Sequence, residues 1–207
     1  MSFGAPRQYF WKSKRLGFSK WLDTDFHLAK SLWGDRDVTK YISLNGYTDQ
    51  MIVDRFNSEL DHQKKYGLAY WPLFTLEDNK FVGVTGLRAF DYEPGDIVDG
   101  VYMLGYHLMK DAWGKGYATE ATKACIKYAF EKLNALNLYS GHHPRNLASG
   151  QVLKKSGFLW KKDALIPCTG VHHPMYYYKP DERMLVKWME DPITYFAQLE
   201  AKTGKKL

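Results

Sequence analysis

The sequence predicts a mixed α/β (α+β) fold in which a single layer of β-sheet is covered by helices. Two observations predict it. Segments with apolar residues at helical spacing alternate with shorter segments rich in β-branched and aromatic residues. Their order is one strand, two helices, three strands, a helix, a strand, a helix and further strands. Because 207 residues, 45% of them hydrophobic, can build one sizeable core, we expect a single domain over residues 1–207.

The first part of the chain predicts a short strand and two helices. The strand is expected within residues 15–21, and either Asp23 or Thr24 can cap the first helix. Thr48 can cap the second helix, which Gly67 closes. The two helices are separated by an irregular aromatic segment, residues 38–47. The residues predicted to face inward are Phe26, Ala29, Leu32 and Trp33 in the first helix, and Met51, Ile52, Phe56 and Leu60 in the second.

The hydrophobic period changes at Leu68, where strands replace helices. Residues 68–76 and 81–90 are strand-like and are joined by a polar turn, so they predict a β-hairpin. The following loop, residues 91–96, contains Pro-Gly and should be exposed. A further strand over residues 101–109 leads directly into a glycine-rich stretch.

This stretch, WGKGYATEA at residues 113–121, stands at the start of a long amphipathic helix. Glycine allows close approach of the backbone to a ligand, and a helix start offers unpaired N–H groups and the positive end of the dipole. The stretch therefore predicts an anion site, for a phosphate compound. It is not a Walker loop, which needs Gly-x-x-x-x-Gly-Lys-Ser/Thr, and the dinucleotide fingerprint needs a third glycine where this chain has Thr119.

The remaining elements follow in the same way. We expect a short strand over residues 138–142 and a helix capped by Asn146, ended by Gly157 with Phe158 folding back onto it. Strand-like pieces follow near residues 158–162 and 175–179. The core should cover about residues 15–180, with a C-terminal helical extension over residues 181–207.

Composition narrows the class of protein. Two cysteines, Cys125 and Cys168, fit a reducing cytoplasm, and no segment approaches the ~20 apolar residues of a membrane span. The net charge of +6 comes without an arginine-rich run interleaved with aromatics, so we expect no nucleic-acid partner.

Two His-His-Pro triplets, residues 142–144 and 172–174, could in principle bind zinc. Adjacent histidines on a strand point to opposite faces, so each triplet offers at most one ligand and we expect no metal.

Three motifs, and the distances between them along the chain, resemble those of the GNAT superfamily of N-acetyltransferases. Within it they are most similar to the branch of the ribosomal-protein N-terminal acetyltransferases. They are the WGKGYA loop between strand and helix, Asn-x-x-Ser at residues 146–149, and the Gly-Phe stop. The family loop has the form Gln/Arg-x-x-Gly-x-Gly/Ala, and Trp113 at its first position is a variant common in that branch. The resemblance covers about residues 15–179. It implies a mostly antiparallel central sheet with helices on both faces and a splayed parallel strand pair, residues 101–109 and 138–142.

The resemblance also implies that acetyl-CoA is the co-substrate and lies between the two splayed strands. Backbone groups of Tyr106, His107 and Leu108 would then pair with the pantetheine arm and polarise the thioester carbonyl. Asn146 and Ser149 would contact the cofactor from the next helix. The residues implied to hold the pyrophosphate are Trp113, Gly114, Lys115, Gly116, Tyr117, Ala118 and Thr119.

The family's reaction is direct attack of a primary amine on the thioester, and this sequence departs from its usual residues. Ser149 corresponds to the position that can protonate the departing thiolate. The usual carboxylate base is missing, because its position holds Met103. His107 and His142 are candidate bases, since imidazole titrates near neutral pH. His143, Asp99, Glu93 and a water chain remain open as alternatives.

The resemblance says little about the acceptor, which can be a small-molecule amine or a protein N-terminal amine. Residues 38–47 and 91–96 are expected to set that choice, and the second triplet with tyrosines 176–178 is expected to shape the pocket. A homodimer is compatible with this interpretation. The alternative is a non-catalytic acyl-CoA-binding regulatory module on the same fold, which Met103 favours.

Overall fold

One mixed β-sheet of eight strands runs through the molecule. The computed structural model describes residues 7–43, 45–91 and 97–179. The sheet order is β1-β2-β3-β4-β5-β6-β8-β7, and every neighbouring pair is antiparallel except β5 and β6. The strands are β1 (Trp11–Lys12), β2 (Leu16–Phe18), β3 (Tyr70–Thr75), β4 (Phe81–Asp91), β5 (Ile97–Leu108), β6 (Asn137–Gly141), β7 (Leu159–Ile166) and β8 (Val171–Tyr178).

Helices cover both faces of this sheet. They are α1 (Phe26–Trp33), α2 (Arg36–Thr39), α3 (Asp49–Tyr66), α4 (Tyr117–Lys132) and α5 (Leu147–Lys155). Neighbouring residues on a strand point to opposite faces. In β5 the side chain of Tyr106 reaches α5, whereas that of His107 reaches α1. The predicted fold, a mostly antiparallel sheet with one parallel pair and helices on both faces, is confirmed.

Most of the predicted helix boundaries are confirmed by their capping interactions. The Thr48 hydroxyl accepts a hydrogen bond from the Met51 N–H at 3.2 Å, and Gly67 ends α3 at φ +70°. Asn146 accepts from the Ser149 N–H, also at 3.2 Å, and caps α5. At the other end of α5, the Phe158 N–H bonds back to the Leu153 carbonyl, and Phe158 is buried.

Three details of the N-terminal part differ from the sequence prediction. The expected cap at Asp23 or Thr24 is wrong, because a 3₁₀ turn occupies Asp23–Asp25 and α1 starts after it. Asp25 stands at the helix start, and its carboxylate accepts from the Leu22 N–H and pairs with Arg7. The short helix α2 replaces the first residues of the segment predicted to be irregular, and the two-residue strand β1 was not predicted.

The core lies between the sheet and its helices and positions α4 closely on the strands. Ala121, Cys125 and Ala129 are fully buried on the inward face of α4. Their small side chains allow this helix to approach β4 and β5. Two predicted segments lie outside the described residues. They are the loop at residues 91–96, except for residue 91, and the whole C-terminal extension at residues 181–207. Within the described ranges, no helix is both long and apolar enough to cross a membrane.

Candidate active site

The parallel strands β5 and β6 separate in the middle of the sheet. They pair at three positions, ending at Met103 opposite Tyr139. Beyond this point β6 pairs only with β8, and β5 continues to Leu108 with β4 on its other side. The backbone edge of β5 after Met103 therefore faces a cleft of about 950 Å³. The splayed pair predicted from the sequence is confirmed.

The cleft gathers residues that are distant in the sequence. Of the residues assigned to cofactor binding or to the main acid and base roles, only Lys115, which is exposed, does not line it. Of the alternative bases, His143 lines it, Asp99 does not, and Glu93 lies outside the described residues. The lining includes Tyr106, His107, Leu108, Trp113, Gly114, Gly116, Tyr117, Ala118, Thr119, His142, Asn146 and Ser149. Because Tyr106 and His107 point to opposite faces and both line the cleft, the opening passes through the sheet.

The glycine loop leaves an open cradle at the start of α4. Gly114 and Gly116 have φ of +73° and +77°, a conformation that favours glycine. Among the described residues, a Cβ on Gly114 would meet no atom within 4 Å, and one on Gly116 would meet only Arg15 Nη2 at 3.6 Å. The first helical bond runs from the Glu120 N–H to the Gly116 carbonyl. The N–H groups of residues 117–119 therefore have no acceptor within the helix and can bind an anion.

Arg15 braces this loop, and the sequence did not reveal it. Its Nη1 donates to the Lys115 carbonyl at 3.1 Å, its Nε donates to Glu120 Oε2 at 2.7 Å, and its guanidinium lies 4.6 Å above the Tyr117 ring. Burial acts to raise the pKa of Glu120, but the hydrogen bonds from Ser13 and Arg15 outweigh it and lower that pKa. Arg15 is 100 residues from Lys115 in sequence, so no local pattern could predict the contact.

Trp113 holds the other end of the loop. Its indole Nε1 donates to the Leu108 carbonyl, the last residue of β5, at 2.8 Å. The indole is 43% exposed and lines the cleft. This residue therefore fixes the strand-to-loop transition and also offers an aromatic surface to a ligand.

Tyr106 and Ser149 form a pair of hydroxyl groups inside the cleft. Tyr106 Oη lies 2.9 Å from both the Ser149 carbonyl oxygen and Ser149 Oγ. When the tyrosine donates to the carbonyl, the serine hydroxyl can donate to the tyrosine oxygen. Burial raises the pKa of Tyr106, which keeps its proton in place at neutral pH. The sequence assigned only a backbone role to Tyr106, so this side-chain pairing is new information.

His107 is held neutral on the opposite face of the sheet. The Trp33 indole, which can only donate, bonds to His107 Nδ1 at 3.1 Å. The neutral ring therefore carries its proton on Nε2. Burial, and then the charge of Arg55, lowers the pKa of His107 to about 3. Such a ring is poorly suited to accept a proton from an amine.

His142 has a more suitable arrangement for a base. Its Nδ1 lies 2.8 Å from the His143 carbonyl, which can only accept, so Nδ1 carries the proton and Nε2 is an acceptor in the neutral ring. Tyr176 stacks on the imidazole at 5.6 Å, with its hydroxyl 3.5 Å from Nε2. A Cβ at Gly150 would lie 2.7 Å from Nε2. The unusual glycine within α5 therefore makes room for this imidazole.

Three histidines from the two His-His-Pro triplets meet at the cleft. His143 and His173 lie edge to face at 5.3 Å, Tyr41 lies against His143, and the Thr169 hydroxyl contacts His173 Nε2 at 2.8 Å. The sequence expected one inward histidine per triplet. That rule fails for the first triplet because β6 ends at Gly141, so His142 and His143 lie in a loop and are both buried. In the described ranges, no group of three or more His, Cys, Asp or Glu side chains could hold a metal ion.

The pKa values of two of these imidazoles are lowered. For His143 the causes are burial and then the charges of Arg145 and His142. For His173 they are burial and then the charges of His143 and His142. His143 and His173 therefore favour the neutral form, and with Tyr41 they form an aromatic wall of the cleft, behind which Tyr176 stacks on His142.

Carboxylates are scarce in the cleft. Met103 is half-buried at the point where the strands part, so no acid occupies the usual family position. Among the described residues that line the cleft, Asp37 is the only acid, and Lys40 and Lys110 pair with it. A catalytic cysteine on α4 is also excluded, because burial raises the pKa of Cys125 to about 12.

Comparisons with known proteins agree with this geometry. The sequence profile of the acetyltransferase (GNAT) domain family matches residues 15–159. An N-acetyltransferase named p20 from Bacillus licheniformis is 27% identical over 155 residues, which is 74% of this chain and 83% of that protein.

Solved structures share the fold. A GNAT-family acetyltransferase from Bacillus anthracis superposes with a TM-score of 0.66 at 25% identity, covering 84% of this chain and 98% of the other. A ribosomal L7/L12 alpha-N-protein acetyltransferase in complex with coenzyme A superposes with a TM-score of 0.66 at 14% identity, covering 81% and 95%. The chain thus belongs to the GNAT family of acetyltransferases.

Proposed function

We propose that this protein transfers an acetyl group from acetyl-CoA to a primary amine by direct attack. The observation that carries the proposal is the combination of a strand edge with a helix start in one cleft. The free edge of β5 beyond Met103 lies next to the uncapped start of α4. A long ligand with a peptide-like arm and a pyrophosphate would match these two features in that order.

The described residues fit such a co-substrate. The space above Gly114 is empty, three successive N–H groups lack helical acceptors, and Arg145 and Lys155 add positive charge to the lining. The backbone of residues 106–108 would pair with the pantetheine arm and the loop 113–119 would hold the pyrophosphate. When bound, acetyl-CoA supplies an activated thioester whose C–S bond breaks as the new C–N bond forms.

Two protons must move in this reaction. The sulfur needs one, and we assign its delivery to the Tyr106–Ser149 pair: Ser149 Oγ gives its proton to the departing thiolate, Tyr106 passes its own proton to Ser149 across the 2.9 Å contact, and solvent returns a proton to Tyr106. The amine must lose one, and the His142 imidazole is the better of the two predicted bases because its Nε2 carries no proton in the neutral ring and has only a long 3.5 Å contact to the Tyr176 hydroxyl among the described residues. His107 instead supports the cleft wall through Trp33.

The defining experiment measures release of free CoA from acetyl-CoA over a panel of amines. We expect turnover on at least one primary amine and none without an amine. Acetyl-CoA affinity, measured by calorimetry, should be lost in Gly116→Val, since a branched side chain at φ +77° distorts the cradle. Unchanged affinity in a folded variant would contradict the role of the loop.

A non-catalytic acyl-CoA-binding module is the second candidate, and the scarcity of carboxylates in the cleft favours it. The same assay separates the two. Tight acetyl-CoA binding without turnover on amino acids, peptides or polyamines would support the regulatory module. We place either activity in the cytoplasm, where two free cysteines remain reduced.

A further inference from the structure

Two arginines share a single buried glutamate beside the cleft, on the face that carries α1 and α3. Glu59 of α3 is fully buried. Its Oε1 lies 2.6 Å from Arg55 Nη2 and 2.9 Å from Arg88 Nη1, and its Oε2 accepts from the Tyr70 N–H. Two guanidinium groups against one carboxylate leave a formal charge of +1 in this cluster.

The two arginines differ in their surroundings. Both terminal nitrogens of Arg88 have hydrogen-bond acceptors, since Nη1 donates to Glu59 and Nη2 donates to Ser58 Oγ. Arg88 does not line the cleft. Arg55 does line the cleft. Its Nη2 pairs with Glu59 at 2.6 Å and its Nε is buried, whereas the side chain as a whole remains 22% exposed.

Aromatic rings hold Arg55 in place at the cleft. Its guanidinium lies 5.3 Å from the Trp33 ring and 5.2 Å from the Tyr70 ring. Trp33 in turn bonds to His107, next to Tyr106, so the cation lies a few side chains from the Tyr106–Ser149 pair but on the other face of the opening. A rigid, partly exposed guanidinium in a cluster with surplus positive charge is suited to bind a carboxylate.

We propose that Arg55 binds a carboxylate of the acceptor, so that the substrates are amines that also carry an acidic group. The inference rests on the acetyl transfer proposed above and names its substrate class. It disfavours polyamines and aminoglycosides, because a polycation would meet the surplus charge of Arg55. Two sources share the required chemistry: a free amino acid, through its α-carboxylate, and a peptide with an acidic first residue.

Matched pairs of acceptors test the proposal on the wild-type protein. One pair is an amino acid and its amide, and the other is a C-terminally amidated tripeptide that begins with Asp or with Asn. We expect kcat/KM to favour the carboxylate by roughly ten- to a hundredfold in one pair, as for a charged hydrogen bond. The pair that shows the preference identifies the source. Equal rates within both pairs, or spermidine as the best acceptor, would overturn the proposal.

Three variants separate recognition from support of the fold. Arg55→Gln should raise the KM of the carboxylate acceptor roughly ten- to a hundredfold and leave acetyl-CoA affinity unchanged, whereas Arg55→Lys should keep part of the preference. Arg88→Gln is the matched control, because it removes the other partner of Glu59 without changing the cleft. It should lower stability and keep the preference. If both Gln variants lose the preference equally, the role of Arg55 is structural and the proposal is wrong.

A binding measurement distinguishes failure of this inference from failure of the proposed function. Calorimetry in the presence of CoA compares an N-acetyl amino acid with its amide. Carboxylate-dependent binding without any acetyl transfer would support Arg55 as an anion site and refute the catalytic proposal. Transfer that proceeds equally on acids and amides, with equal binding, would keep the catalytic proposal and refute this one.

Discussion

Replacing Gly150 with alanine should destabilise the protein only while His142 is present. Gly150 lies inside α5, where alanine is favoured over glycine by about 1 kcal/mol. The added Cβ would lie 2.7 Å from His142 Nε2 and 3.0 Å from Cε1, well inside van der Waals contact. The imidazole cannot easily move, because it is buried, stacked on Tyr176 and bonded to the His143 carbonyl.

Overpacking of this kind costs about 1–3 kcal/mol. Set against the helix preference, Gly150→Ala should lower the free energy of unfolding by up to about 2 kcal/mol in the wild-type background. In a His142→Ala background the space is empty, so the same substitution should raise it by up to about 1 kcal/mol. The sign of the effect should therefore reverse, with a coupling energy of about 1–3 kcal/mol.

Urea unfolding of the wild type, both single variants and the double variant measures this cycle. Gly150→Ala should also lower kcat if His142 is the base, with acetyl-CoA affinity nearly unchanged. Stabilisation by Gly150→Ala in both backgrounds would show that the imidazole moves freely. Destabilisation in both would show that something other than His142 requires the glycine. Either outcome would refute the idea that Gly150 makes room for His142.

The remaining predictions concern three other parts of the site. Ser149→Ala and Tyr106→Phe should each reduce kcat more than they reduce acetyl-CoA affinity. Because the two hydroxyls act as a pair, the kcat of the double variant should be only slightly below that of the slower single variant, and additive losses of kcat would argue against a pair. His107 has a folded-state pKa of about 3, below its ordinary 6.5, so it stabilises the fold fully above pH 6.5 and this contribution is lost as the pH falls towards 3. His107→Asn, which keeps an acceptor for Trp33, should flatten the dependence of unfolding free energy on pH, and an unchanged slope would contradict this. Arg15→Ala should weaken acetyl-CoA binding several-fold by loosening the loop, whereas Lys14→Ala beside it should have no effect; calorimetry compares the two.

The fold could be predicted from the sequence because its signals are local. Thr48 and Gly67 bound α3 through interactions within one turn of the helix. The glycine loop follows a strand and opens a helix, and its φ values explain why glycine stands there. The error at Asp23 has the same local origin, since a 3₁₀ turn and an α-helix start share the same capping residues.

The chemistry of the histidines could not be predicted in this way. Residue type made His107 and His142 equal candidates for the base. Burial, and then the charge of Arg55, keeps His107 neutral, and the indole of Trp33 holds its proton on Nε2. In His142 the Nε2 atom is the acceptor, because the carbonyl of the neighbouring His143 takes the proton of Nδ1. The difference lies in hydrogen-bond partners that only the folded chain brings together.

The surroundings of Arg55 could not be predicted from the sequence either. In the sequence, Arg55 and Glu59 are a charged i,i+4 pair beside the apolar stripe of α3, which usually indicates a solvated helix face. In the structure they are turned inward against Tyr70 and Arg88. A charged pair next to Ile52 and Phe56 was the available signal, but its meaning depended on which strand covers it.

The sequence by itself determined the family, most of the order of elements and the glycine loop that opens α4, because these depend on residues within one turn or one strand of each other. Tertiary structure alone decided how the site is supported and what it can recognise. Arg15 reaches Lys115, Trp33 reaches His107, and Arg55 shares Glu59 with Arg88 across elements that the chain visits far apart. Burial and charge at such contacts set the pKa of each group, and neither is defined until the sheet and its helices have packed.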